Sequence, residues 1–232
     1  MDKIIALDFD GVICDSVNEC MLISYYAFKN KKISKIHIDI DEIKLDLQLK
    51  FKKYRYLVGP AKNFYFLWDL IINKKTENLE LEFSESLIHR LGEEEKFVEK
   101  FYNYRDTIKK NKFDEWAKFN PFYPIMRELL KNNINLNNLY IITAKDLQST
   151  FDLLKYNGIS ISKNNIYSRE ISLNKVKLFS DMLKKENFNS GNIIYIEDKI
   201  SHLIKVKDIG IRGYLATWGY NSDSDKNMAK DN

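Results

Sequence analysis

The feature that most constrains the fold is a set of short, unbroken apolar runs, each ending abruptly in polar residues capable of chemistry. Ile4–Leu7 runs into Asp8, Leu139-Tyr140-Ile141-Ile142 into Thr143-Ala144-Lys145, and Ile193-Ile194-Tyr195-Ile196 into Glu197-Asp198. Asn165-Ile166-Tyr167-Ser168 is a fourth, weaker instance. A strand that is apolar at consecutive positions is covered on both faces, the condition of a parallel sheet lying between helices. The first run carries the sharpest signal, because it ends in Asp8-Phe9-Asp10-Gly11-Val12. Burying a carboxylate is costly unless it is paired or metal-bound. Two acids at the carboxyl end of a buried strand therefore point to a reactive or metal-binding centre, at the place where open α/β sheets bind ligands.

Helical patterns separate the later runs. Ile125–Asn132 follows Pro121 and Pro124, Leu147–Tyr156 stops before Asn157-Gly158, and Val176, Phe179, Met182 and Leu183 form an apolar stripe ahead of Asn189-Ser190-Gly191. From about residue 120 onward the chain reads as β/α units. Residues 15–118 break that rhythm. Gly59, Pro60 and Gly92 are the only glycines and prolines there, and apolar residues recur at spacings of three and four: Phe64, Leu67, Trp68, Ile71, then Phe97, Phe101, Tyr104. This spacing predicts a helical insertion after the first strand, with Asn120–Pro124 as its exit hinge. The expected fold class is α/β, a three-layer Rossmann-like core with a parallel sheet formed by residues 1–14 and 119–232. The segment from Ser222 onward is polar and is expected to be frayed.

The charge balance is near neutral, 37 basic against 33 acidic residues for a net +4, with no concentrated basic tract. That composition excludes an electrostatic nucleic-acid binder. Cys14 and Cys20 are too few for a disulfide framework and read as lone buried thiols of a reducing compartment. The first apolar run is too short for a signal peptide and is broken by Asp8, and no stretch reaches membrane-spanning length. A cytoplasmic protein without nucleic-acid or membrane partners is expected.

Taken in order, Asp8-Phe9-Asp10-Gly11-Val12, Thr143, Lys175 and Glu197-Asp198 resemble the four motifs of the haloacid dehalogenase-like (HAD) hydrolase superfamily. Residues 15–118 stand where that superfamily carries an α-helical cap. Ile142-Thr143-Ala144-Lys145, Trp218-Gly219-Tyr220 and Tyr54-Arg55-Tyr56-Leu57 resemble its phosphoglycolate phosphatase-like branch. The resemblance implies a Mg2+-dependent phosphatase that hydrolyses a small phosphorylated metabolite through an aspartyl-phosphate. Phosphoryl transfer needs a nucleophile, an acid for the leaving oxygen, and positive charge against the phosphate. Asp8 fits the nucleophile. Asp10 fits the acid that protonates the leaving alcohol and then activates water, which requires a carboxyl group that is protonated when substrate arrives. Gly11 lets the chain turn without a side chain beside the substrate. Thr143 and the Ala144 N–H suit phosphate oxygens, and Lys175 suits the charge of phosphate and Asp8 together, with Lys177 as its rival.

For Mg2+, the resemblance implies Asp8 and Asp198 as side-chain ligands and the backbone carbonyl of Asp10 as a third. Glu197 would hold a metal-bound water or orient a neighbour. Many relatives have another acid four residues after the metal aspartate, where this chain has His202, so Glu197 is expected to take over that role. Arg55 and Arg105 are candidates for a substrate carboxylate or second phosphate, since the arginine fork matches both. Two other functions use the same residues: a phosphomutase that returns the phosphoryl group to a sugar, and a catalytically silent HAD-like binding or scaffold protein. A dehalogenase needs no metal and would leave Asp10 and Glu197-Asp198 without a purpose.

Overall fold

The computed structural model describes residues 3–32, 34, 37–74, 78–90, 92–132 and 136–230. Elements follow in chain order. Strand β1 is Ile4–Leu7; helices α1 (Val17–Phe28), α2 (Leu45–Lys53), α3 (Asn63–Asn73), α4 (Leu79–His89), α5 (Glu95–Asn111) and α6 (Phe113–Lys118) come next. Then α7 (Pro124–Asn132), β2 (Leu139–Ile142), α8 (Leu147–Tyr156), β3 (Ile166–Tyr167), α9 (Lys175–Glu186), β4 (Ile193–Glu197), α10 (Ile200–Lys207), β5 (Arg212–Leu215) and α11 (Asp223–Lys230) complete the chain. Two compact units result: Met1–Asp15 with Pro121–Asn232, and Ser16–Asn120.

The first unit is built on a five-stranded parallel sheet in the order β3-β2-β1-β4-β5. The apolar runs form its strands because both faces are covered. Ile4, Ala6, Tyr140, Ile142, Ile193 and Tyr195 point to one face and pack with Leu178, Phe179 and Met182 of α9 and Leu203 and Val206 of α10. Leu7, Leu139 and Ile141 are equally buried and, being offset by one residue, point to the other face. Right-handed crossovers put α9 and α10 on the first face and α8 on the second, because the chain moves outward from β2 to β3 in one direction and from β4 to β5 in the other. That makes β1 the switch point of the sheet, with the loops after β1, β2 and β4 meeting at its carboxyl end.

Two elements differ from the sequence reading. β5 has no apolar run, because it is an edge strand whose Arg212, Gly213 and Tyr214 are exposed. The polar terminus from Ser222 is helical, since Ser222 and Asp225 cap it reciprocally: the Asp225 N–H donates to Ser222 Oγ (3.1 Å) and the Ser222 N–H to Asp225 Oδ2 (2.8 Å). Asp231 and Asn232 lie outside the described residues.

The second unit is helical, and the predicted stripes form its core. Phe64, Leu67, Trp68 and Ile71 on α3 and Phe97, Phe101 and Tyr104 on α5 are all buried. Phe51 stacks on Trp68 at 4.9 Å and on Phe64 at 5.6 Å, and Trp68 donates its indole N–H to Ser24 Oγ at 2.7 Å. Cys14 and Cys20 are buried and not joined in a disulfide. Among the described residues no helix is long and apolar enough to cross a membrane.

Candidate functional site

Each motif sits where its strand stops. Asp8 is one residue past β1, and its N–H still bonds to the Ile196 carbonyl at 2.9 Å, so the sheet itself fixes its backbone. The chain then turns back, with the N–H groups of Ile13 and Cys14 bonded to Phe9 O and that of Gly11 to Cys14 O. Thr143 follows β2, tied by its N–H to Tyr167 O at 2.9 Å, and its hydroxyl accepts the Lys145 N–H at 3.1 Å. Ala144 is half-buried beside it. Glu197 ends β4 and Asp198 follows.

Lys175 opens α9 and is buried; Asn174 caps the helix behind it. Its ammonium donates to Ile142 O at 2.5 Å and lies 2.8 Å from Asp8 Oδ1 and 3.5 Å from Glu197 Oε2. Burial works against its charge, but Asp8 and Glu197 outweigh burial and raise its pKa. Lys177 is exposed and lies 3.5 Å from Asp181, so the structure separates the two lysines that the sequence left open.

Glu197 is held from every side. Oε2 accepts the Tyr195 hydroxyl at 2.5 Å and faces His202 Nδ1 at 2.9 Å, while Oε1 accepts the N–H groups of Asp198 (3.0 Å) and Lys199 (3.2 Å). Despite burial, Lys175 and His202 keep its carboxyl well below the usual range. Its two neighbours respond oppositely. Burial, then the charge of Glu197, pushes Asp8 up to about 7 and raises Asp198 well above the ordinary aspartate value.

Asp198 is packed on two glycines. A Cβ on Gly11, whose φ is +85°, would lie 2.2 Å from Asp198 Oδ2, and one on Gly219 would meet Gly11 O at 2.3 Å. Only glycine fits either place. The Tyr220 N–H donates to Asp198 Oδ2 at 2.8 Å, and the Trp218 indole donates to Val12 O at 3.1 Å, so the Trp218–Tyr220 segment clamps the loop after β1 onto Asp198.

A possible cation site follows from the donor set. Asp8, Glu197 and Asp198 each offer a buried carboxylate oxygen, all within 4.8 Å of one another. Hard oxygen donors suit Mg2+, which takes few carboxylates and completes its shell with water and substrate oxygens. Glu197 already accepts from the Tyr195 hydroxyl and from the N–H groups of Asp198 and Lys199.

Asp10 stands slightly apart, paired with a residue to which the sequence reading gave no role. Lys145 Nζ lies 3.2 Å from its Oδ1 and 3.5 Å from its Oδ2. Among many lysines, only its position two residues past Thr143 marks it.

The two arginines belong to the helical unit. Arg105 is buried and grips Glu19 with both ends of its fork, Nε to Oε1 and an Nη to Oε2, each at 2.7 Å. This corrects the expectation that Arg105 meets a substrate anion, because an internal carboxylate takes its fork. Arg55 is also buried; it donates to Val58 O at 3.0 Å and lies over the Phe64 ring at 5.2 Å.

Solved structures share this architecture. A hydrolase of the haloacid dehalogenase-like family from Streptococcus pneumoniae is 18% identical, with a TM-score of 0.62, the match covering 99% of this chain and 91% of that one. A predicted phosphoglycolate phosphatase from Haemophilus somnus is 17% identical at TM-score 0.59, covering 96% and 88%. A β-phosphoglucomutase from Clostridium difficile is 21% identical at TM-score 0.52, covering 92% and 83%. At these identities the likeness establishes the fold. No curated protein matches the sequence. The sequence profile for haloacid dehalogenase-like hydrolase matches residues 73–216, more than half of the chain, and this protein belongs to that family.

Proposed function

We propose that this chain is a Mg2+-dependent phosphatase that hydrolyses a small phosphorylated metabolite through an aspartyl-phosphate on Asp8. The observation that carries the reading is a charge imbalance: three buried carboxylates within 4.8 Å of one another, facing the ammonium of Lys175. Packing like charges out of water is unfavourable without a cation to meet them. The residues that would hold Mg2+ are Asp8 and Asp198, with the Asp10 backbone carbonyl, while Glu197 orients Asp198. When bound, Mg2+ would offset the negative charge of the carboxylates and the phosphate.

The chain's own residues supply the rest. Asp8 Oδ1 is fixed by the Phe9 N–H and by Lys175, which keeps the carboxylate in one orientation for in-line attack on phosphorus. Thr143 and the Ala144 N–H hold phosphate oxygens, and Lys175 balances the charge of the transferring group. Asp10 delivers a proton to the leaving oxygen. It then takes one from the water that hydrolyses the aspartyl-phosphate, which regenerates the starting acid. Gly11 keeps the turn clear of side chains. The helical unit 16–120 is the proposed cap domain and the source of substrate selectivity. Buried cysteines outside any disulfide suit the reducing cytoplasm.

The test is Asp8→Asn, assayed on p-nitrophenyl phosphate with and without Mg2+, with circular dichroism as the control for folding. The expected outcome is a loss of at least about 10³-fold in turnover, because the nucleophile is gone. Mg2+-dependent activity retained by a folded variant would remove Asp8 from its role. Transfer to a second hydroxyl in place of phosphate release would favour the mutase.

A further inference from the structure

The structure assigns Lys145 as a positioning residue for Asp10, the group proposed above as acid and base. This inference rests on the phosphatase reading and names the device that makes its proton transfer work.

Lys145 lies at the carboxyl end of the sheet, two residues past Thr143, and its side chain is 1% exposed against 23% for Asp10. An ammonium so deeply buried needs an anionic partner. The ammonium spans both oxygens of Asp10, 3.2 Å from Oδ1 and 3.5 Å from Oδ2. The backbone of Lys145 is fixed on both sides: its N–H is held by the Thr143 hydroxyl at 3.1 Å, and its carbonyl accepts the Arg169 N–H at 3.4 Å. The lysine therefore approaches from a fixed point and holds the Asp10 carboxylate by both oxygens.

Asp10 must face the leaving oxygen while it gives its proton and the attacking water while it takes one, and Lys145 keeps it aimed in both steps. A cation acting through Asp10 matters most where the leaving group needs protonation. A cation acting on the phosphate matters equally for every ester.

The experiment compares kcat/KM, which reports steps up to leaving-group departure, for an alkyl phosphate (glycerol 2-phosphate) and for 2,4-dinitrophenyl phosphate, whose leaving group needs no acid. Lys145→Met is expected to lose about 10²-fold or more on the alkyl ester and less than about tenfold on the aryl ester. Adding it to Asp10→Asn should cost the alkyl ester nothing further, and Lys145→Arg should recover most of the loss. Equal losses on both esters, or losses that multiply with those of Asp10→Asn, would overturn the assignment. If the Met variant does not fold, Lys145→Gln is carried through the same comparison. A wild-type protein inert on both esters brings down the phosphatase reading and this inference with it. An active wild type that Asp8→Asn silences and Lys145→Met leaves unchanged brings down the inference alone.

Discussion

Each unit buries a cluster of charges, and the two clusters follow opposite rules. In the helical unit one anion meets one cation: Glu19 receives two bonds from Arg105 at 2.7 Å and a third from the Trp116 indole at 3.1 Å. In the sheet unit Asp8, Glu197 and Asp198 crowd together around Lys175. In the matched pair each charge offsets the other. The unmatched cluster is under electrostatic stress, which shows as Asp8 and Asp198 raised by burial and by Glu197. Burial of charge therefore does not by itself mark a site. A site is marked by buried charge whose balance the protein leaves incomplete.

The comparison breaks most visibly at Arg105. Arg105→Met should lower stability by about 3–5 kcal/mol, because it strands Glu19 in the core. Urea midpoints measure this, and a second change, Glu19→Leu, should restore most of the loss. A loss below about 1 kcal/mol would mean that the pair is not structural. The sheet unit responds to pH instead. A carboxyl raised when folded contributes stability that is full below its unfolded pKa and is lost as pH rises through the folded one. For Asp8 that window runs from its ordinary 3.8 up to about 7. Between pH 6 and 8 the loss from this group is on the order of 1 kcal/mol. Asp198 acts in the same direction, whereas Glu197, held low, stays ionised throughout that range. In chelator the melting temperature should fall from pH 6 to 8, and the gain on adding Mg2+ should grow over the same interval. A chelator curve that is flat or rising would remove the stress from the sheet unit.

The same contrast governs what the sequence revealed. β1, β2 and β4 were legible because central parallel strands are apolar at every position, and Asp8, Thr143, Glu197 and Asp198 were legible because each ends one of them. Asp146, which caps α8 by accepting the Ser149 N–H at 2.7 Å, sits just ahead of the predicted start of that helix. β5 was not legible, since an edge strand with exposed Arg212 and Tyr214 has no such run. Lys145 escaped a functional reading for another reason. Its partner, Asp10, becomes a neighbour only when the sheet forms, because the contact joins residues 135 apart. Arg105 was misread for the same reason in reverse. An arginine on a helix shows its charge in the sequence, but Glu19, 86 residues away, is visible only in the fold.

The smallest effect is the most discriminating. Asp198→Asn preserves the shape of the side chain and an acceptor for the Tyr220 N–H, which bonds to Asp198 Oδ2 at 2.8 Å. At pH 8 the wild-type chain, on folding, must either bury this negative charge beside Glu197 or take up a proton, and asparagine requires neither. The metal-free variant should therefore be more stable than wild type by about 1 kcal/mol. For a chain of this length that is a rise of about 2–4 °C in melting temperature. Added Mg2+, which should raise the wild-type melting temperature, should leave the variant nearly unmoved, because a proposed side-chain ligand is gone. A variant less stable than wild type in chelator would show that Asp198 is held by its neighbours as Glu19 is held by Arg105, and the two clusters would then obey one rule.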